Sequence, residues 1–174
     1  APGLLGVILP KPAGAIAVAE AVAHLTPGLD AIVLVETAHA LHEVEAIAAL
    51  PPVARLALGQ VDLGIDTGLS FDSLEVAQSV RTRLAVASAV AGLPGPIEGP
   101  VMHINDEKAV TARAAEAKLA GMRAMLSIHP GQVAAINAAF SPSAKEIAGA
   151  REIVDAAAAN SGSGAFALDD GRLI

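Results

Sequence analysis

Two carboxylates, Glu36 and Asp62, each follow a short apolar run, with Thr37 beside the first and Gly59 shortly before the second. In parallel α/β folds chemistry collects at the carboxyl ends of the strands, so the residues that close such runs are the ones that could react or bind. Along this chain they are Lys11, Glu36, Asp62, His103 and His129. Two acidic groups brought close together repel, and a divalent cation between them relieves the cost. With no cysteine in the chain, a metal must use oxygen or imidazole ligands. Paired carboxylates suit a hard ion such as Mg²⁺, which takes few protein ligands and completes its octahedron with water and substrate oxygens. Simpler roles stand beside this one: Glu36 could cap the helix that follows it, and Asp62 could pair with an arginine such as Arg55.

The other strand-end residues have two readings each. Lys11 could meet an anionic part of a substrate or stand solvated. His129 precedes Pro130, a residue suited to a first helical turn, and the positive end of a helix there would favour a neutral imidazole. Such a ring hydrogen-bonds a ligand or the neighbouring backbone. Glu36, His39 and His42 form an E-x-x-H-x-x-H string, but those positions fan around a helix and the zinc signature HExxH is absent.

Composition removes whole classes of function. A net charge of −7 with only 11 Lys and Arg argues against nucleic acid, whose binding needs clustered cations. The only aromatic residues are Phe71, Phe140 and Phe166, too few for a base- or sugar-stacking platform. Mean hydropathy is high at +0.56, yet alanine supplies much of it, and no run approaches the roughly 20 apolar residues of a membrane span. A soluble domain without membrane contact is expected, and the lack of cysteine fits a cytoplasmic location.

The elements that must position these residues are legible as five apolar runs, at 4–9, 31–35, 55–58, 97–104 and 124–128, each followed by a break and a helical pattern. Their starts lie 24 to 42 residues apart, the length of a βαβ unit, so the sheet should be parallel. Leu74, Ala77, Val80, Leu84, Ala87 and Ala91 recur at helical spacing and Gly92 stops that helix. Asp72 with Glu75, and Ser143 with Glu146, are spaced as capping boxes, and Asn105 or Asp106 can cap a helix burying Val110, Ala114 and Ala117. Alternating βα units form either a doubly wound sheet or a (β/α)₈ barrel. No glycine-rich dinucleotide or phosphate loop follows the first strand, which runs into Pro10-Lys11-Pro12.

Several words of the sequence, in order, resemble the citrate lyase β-subunit and HpcH/HpaI aldolase family. They are Val7-Ile8-Leu9-Pro10-Lys11, Val33-Leu34-Val35-Glu36-Thr37-Ala38, Leu58-Gly59-Gln60-Val61-Asp62, Arg81-Thr82-Arg83-Leu84, Pro96-Ile97-Glu98-Gly99, Ser127-Ile128-His129-Pro130-Gly131-Gln132 and Phe140-Ser141-Pro142-Ser143. The resemblance implies a TIM (β/α)₈ barrel and a Mg²⁺-dependent carbon–carbon lyase. Such an enzyme cleaves or forms 3-hydroxyacyl-CoA thioesters of the citryl-CoA or malyl-CoA type, giving an α-keto acid and acetyl-CoA. It also implies Glu36 and Asp62 as metal ligands, Lys11, Gly59 and His129 at the substrate or CoA, and a homo-oligomer, commonly a trimer. The alternatives are an aldolase acting on free hydroxy-keto acids and a non-catalytic subunit.

Departures from the family pattern are specific. Ala13 and Gly14 stand where an acidic residue and a serine are usual, and Met125 stands where lysine is common. No position matches the family's substrate-binding arginine, so no catalytic residue is assigned. A complete barrel needs about 250 residues. The expected organisation is therefore an incomplete C-terminal portion of a barrel over residues 1–159, about five βα units, then a flexible linker and lid-like segment over 160–174. The five strands should leave two free edges, and a fragment of a longer protein is the expectation.

Overall fold

The structure is a computed structural model that describes residues 3–160, 165–168 and 170–173. Five strands form one parallel sheet: β1 (Gly6–Leu9), β2 (Asp30–Val35), β3 (Val53–Leu58), β4 (Ile97–Glu98) and β5 (Ala124–Met125). Their spatial order is β1-β2-β3-β4-β5, the same as their order in the chain. A doubly wound sheet reverses direction at a switch point, whereas a barrel adds each strand beside the last. The consecutive order is that of a TIM barrel, here as a portion whose β1 and β5 edges do not pair with each other.

Helices fill the crossovers, α1 (Ala15–Ala23), α2 (Ala38–His42), α3 (Val44–Ala48), α4 (Gln60–Thr67), α5 (Leu74–Val90) and α6 (Glu107–Leu119), and α7 (Val133–Phe140) and α8 (Ala144–Ala159) follow β5. Alternation along β2 sends Ala31, Val33 and Val35 to the helix side, where they are fully buried with Val18, Val44, Ile47, Leu56, Leu58 and Leu84. Each such leucine or valine contributes about 1.5–3 kcal/mol by leaving water. On the opposite face the paired Ile8 and Ile32 are only partly covered. A second cluster packs Val101, Val110, Ala114, Met125, Ala135 and Ile136.

Two strands end earlier than their apolar runs. β4 stops at Glu98 because Gly99 and Pro100 follow, and proline has no N–H for a ladder. β5 stops at Met125, although the Leu126 N–H still donates to Glu98 O at 2.9 Å. One capping expectation is also corrected. α5 is capped by Ser73, whose Oγ accepts from the Val76 N–H at 3.4 Å and donates to Glu75 at 2.7 Å, so Asp72 and Glu75 form no capping box. Asp106, not Asn105, caps α6.

The described chain falls into two compact units, 3–140 and 141–173. The second contains α8, opened by the expected Ser143/Glu146 capping box, in which each residue's N–H donates to the other's side chain, at 2.7 and 3.2 Å. Its C-terminal segment makes an antiparallel bridge between Ala167 and Leu173. The expected linker falls largely on residues 161–164, which lie outside the described residues, as does Asp169 of the lid-like segment. No helix among the described residues is long and apolar enough to cross a membrane.

Candidate metal centre

Glu36 directly follows β2, is 4% exposed, and accepts the Lys11 N–H on Oε1 at 2.7 Å. Its Oε2 accepts no hydrogen bond among the described residues. The neighbouring strand approaches it through Gly59, whose N–H donates to Val35 O at 3.0 Å. A Cβ at Gly59 would lie 2.5 Å from the Glu36 Cβ and 2.7 Å from Oε2, so only glycine lets β3 pass this close without displacing the carboxylate.

Asp62 is not at the end of β3. The strand stops at Leu58 and α4 starts at Gln60, which puts Asp62 in the first helical turn. That position favours a carboxylate, because unpaired N–H groups make a helix N-terminus positive. Lys11 Nζ lies 2.8 Å from Asp62 Oδ1. One residue therefore touches both acids, through its N–H on Glu36 and its ammonium on Asp62. The hydrogen bond and charge of Asp62, with the charge of Glu36 adding, raise the Lys11 pKa above the ordinary lysine value.

The simpler roles for the two carboxylates are filled by other residues. Thr37 caps α2, accepting from the Ala40 N–H at 3.0 Å and donating to Pro12 O at 2.7 Å. Asp66, one turn beyond Asp62 and overlooked in the sequence, accepts the Ala38 N–H at 2.6 Å. Arg55 donates to Gly95 O at 2.8 Å and forms no pair with Asp62.

These residues fit Mg²⁺. The donors are carboxylate oxygens and a cationic ammonium already lies against them. No group of three His, Cys, Asp or Glu side chains that could hold a metal occurs among the described residues. Two carboxylates suit an ion that keeps several positions for water and substrate.

The remaining candidates do not join this pair. His129 caps a short 3-10 turn (Pro130–Gln132), its Nδ1 accepting from the Gly131 N–H at 3.1 Å. Of the two partners open to this ring, ligand or neighbouring backbone, the structure shows the backbone one. Among the described residues it makes no hydrogen bond to Lys11, Glu36 or Asp62. His39, His42 and His103 are exposed, and the first two form no cluster with Glu36. A concavity of about 530 Å³ lies along α4, with Gln60, Val61, Phe71, Met102, His103 and Arg113 among its lining residues, but neither proposed ligand lines it.

Sequence reading also gave no role to a buried ion pair. Arg81 and Glu98 are both 0% exposed, with Nε donating to Oε2 at 2.9 Å and a second guanidinium nitrogen donating to Oε1 at 3.1 Å. Arg113 lies 3.6 Å from the same Oε1. The available signal was an arginine inside the apolar stripe of α5 and a glutamate inside an apolar strand.

Two departures from the family pattern have local causes. At Gly14, φ is 131° and a Cβ would lie 2.8 Å from Oε2 of Glu43, which accepts the Ala15 N–H at 2.7 Å at the start of α1. A serine there would be strained and crowded. Met125 is buried in the second core cluster, where a lysine would need a partner.

Known proteins resemble this chain in sequence and in fold. Over 124 residues the chain is 33% identical to a citrate lyase subunit beta-like protein of Deinococcus radiodurans, covering 69% of this chain and 43% of that protein. Over 81 residues it is 41% identical to an L-malyl-CoA/beta-methylmalyl-CoA lyase of Cereibacter sphaeroides, covering 45% of this chain and 25% of that one. The chain thus spans less than half the length of the curated relatives it matches. The crystal structure of protein CitE from Mycobacterium tuberculosis in complex with magnesium, acetoacetate and coenzyme A superposes with a TM-score of 0.77 at 30% identity, over 99% of this chain and 63% of that one. With residues 19–130 matching the family described as HpcH/HpaI aldolase/citrate lyase, the chain belongs to that family.

Proposed function

We infer that this chain carries the metal-holding part of a Mg²⁺-dependent carbon–carbon lyase. Its substrate is a 3-hydroxyacyl-CoA thioester of the citryl-CoA or malyl-CoA type, and its products are an α-keto acid and acetyl-CoA. The observation that carries this reading is the convergence of Glu36 and Asp62 on one cationic residue, Lys11, at the carboxyl ends of β1 and β2 and the start of α4. The Mycobacterium tuberculosis relative crystallised with magnesium and coenzyme A, and the malyl-CoA lyase relative, support the choice of ion and substrate class.

In this reading Glu36 and Asp62 hold the ion. Once bound, Mg²⁺ supplies Lewis-acid stabilisation for charge on the oxygen of the carbon being attacked or released, worth several kcal/mol. The chain's own residues set the geometry. The Lys11 N–H fixes the Glu36 carboxylate from one side, and Gly59 leaves room for it on the other. The first turn of α4 adds positive potential beside Asp62. Lys11, Gly59 and His129 are proposed to border the substrate or its CoA. No described residue is assigned as the proton donor or acceptor. A homo-oligomer, commonly a trimer in the family, is part of the same proposal.

Calorimetric titration of Mg²⁺ in the presence of oxaloacetate tests the site. Glu36→Gln should weaken binding at least about tenfold, the scale of losing one of few charged ligands. Equal affinities for wild type and variant would refute the assignment. Incubation with citryl-CoA, malyl-CoA or the free hydroxy acids, with detection of the keto acid, separates the thioester lyase from an aldolase that uses no CoA.

A further inference from the structure

Lys11 is the only residue that bonds to both proposed ligands among the described residues, and its own conformation is unusual. It has φ 46°, and no other non-glycine residue described has a positive φ. A glycine would adopt this backbone without strain. Packing does not explain the lysine, because its side chain is 67% exposed. What the side chain does is place its ammonium 2.8 Å from Asp62 Oδ1, while the N–H of the same residue stays on Glu36 at 2.7 Å.

The geometry points to Lys11 as a resident counter-ion, whose ammonium neutralises the carboxylate pair before the metal arrives and is displaced from Asp62 when the metal binds. This rests on the reading that Glu36 and Asp62 hold the ion. The two contacts of Lys11 then have separate fates. The backbone donor is held by the turn and keeps Glu36 aimed. The ammonium is held by one charge-assisted hydrogen bond at the surface, where ion pairs are weak and salt-sensitive, so a divalent ion with several oxygen ligands outcompetes it. The exchange keeps Asp62 paired in both states and avoids an open acidic pair in the metal-free protein. It also makes Lys11 a brake on metal affinity.

Lys11→Gly tests this with the backbone conformation preserved, since glycine suits the positive φ and retains the N–H. Mn²⁺ binding followed by electron paramagnetic resonance, and Mg²⁺ binding by calorimetry, should be about two- to fivefold tighter in Lys11→Gly than in wild type at low salt. The gap should shrink as salt is added. The chain has four lysines, so the side-chain NMR signal lost in Lys11→Gly is assignable. In wild type that signal should shift on adding Mg²⁺, and in Glu36→Gln it should stay put at the same Mg²⁺ concentration. Unchanged or weaker metal binding in Lys11→Gly would overturn the counter-ion role and leave the carboxylate site standing. Failure of both wild type and Lys11→Gly to bind metal would overturn the site itself, and the counter-ion role with it.

Discussion

Glu36 and Glu98 lie at the carboxyl ends of β2 and β4, on opposite sides of β3, and both are buried, yet the protein treats them differently. Glu98 is neutralised inside the fold by a two-point grip from Arg81, with Arg113 nearby. Glu36 receives one backbone N–H and no guanidinium, and the residue that supplies the N–H pairs its ammonium with Asp62. A buried carboxylate answered by an internal arginine is complete and structural. One answered by a single neutral donor, with the nearest ammonium paired to another carboxylate, suits the proposed role of attracting a cation from outside. The contrast sets a glutamate held by internal arginines, the last residue of β4, against the proposed ligand that directly follows β2.

The largest test of the contrast is Glu98→Gln, which removes the buried charge that Arg81 grips at two points and leaves that guanidinium only the half-exposed Glu116, 3.8 Å away. Breaking a buried pair costs about 3–5 kcal/mol, and denaturant unfolding should register most of that. Next comes Gly59→Ala. The added methyl pushes on Glu36 and should cost about 1–3 kcal/mol, as overpacking does, while also weakening Mg²⁺ binding. Glu36→Gln in metal-free protein should change stability by less than about 1 kcal/mol, because an amide can still accept the Lys11 N–H and no buried cation is orphaned. A loss as large as that of Glu98→Gln would erase the distinction drawn here.

The smallest effect is at the exposed pair Arg83–Glu45, two residues along α5 from Arg81, with Nε and Oε1 3.3 Å apart. The Arg83 hydrogen bond leads the causes that lower the Glu45 pKa below the ordinary glutamate value. A depressed carboxylate stabilises the fold above its unfolded pKa, about 4.3, and that contribution is lost as pH falls through the lower folded value. The ion pair should therefore add only a few tenths of a kcal/mol to wild type over Arg83→Ala at neutral pH, and the gap should narrow in acid to what the Arg83 bond to His42 O contributes. Thermal unfolding from pH 7 to pH 3 measures this directly.

Local chemistry explains which features could be read in advance. The number of βα units was legible because apolar runs and helix punctuation are written in adjacent residues. The ends of β4 and β5 were not, because whether an apolar residue joins a ladder depends on a neighbour strand's groups. At the start of α5, Asp72 and Ser73 are both competent caps, and the backbone chose the second. Glu36 and Asp62 stood out as proposed ligands by residue type, but Asp62's place on a helix did not, since the strand-to-helix turn falls between Leu58 and Gln60.

From the sequence alone came a parallel α/β chain of five units, its family likeness, and two carboxylates suited to a hard cation. Only the tertiary structure decided the consecutive strand order, the Arg81–Glu98 lock, and the bridging of Glu36 and Asp62 by Lys11. The physical reason is distance along the chain. Periodicity and capping act over a few residues, whereas Lys11 is 25 residues from Glu36, and Arg81 is 17 from Glu98. Groups that far apart find each other only after the strands have packed, and it is then that Glu98 meets its arginines while Glu36 meets only a backbone N–H.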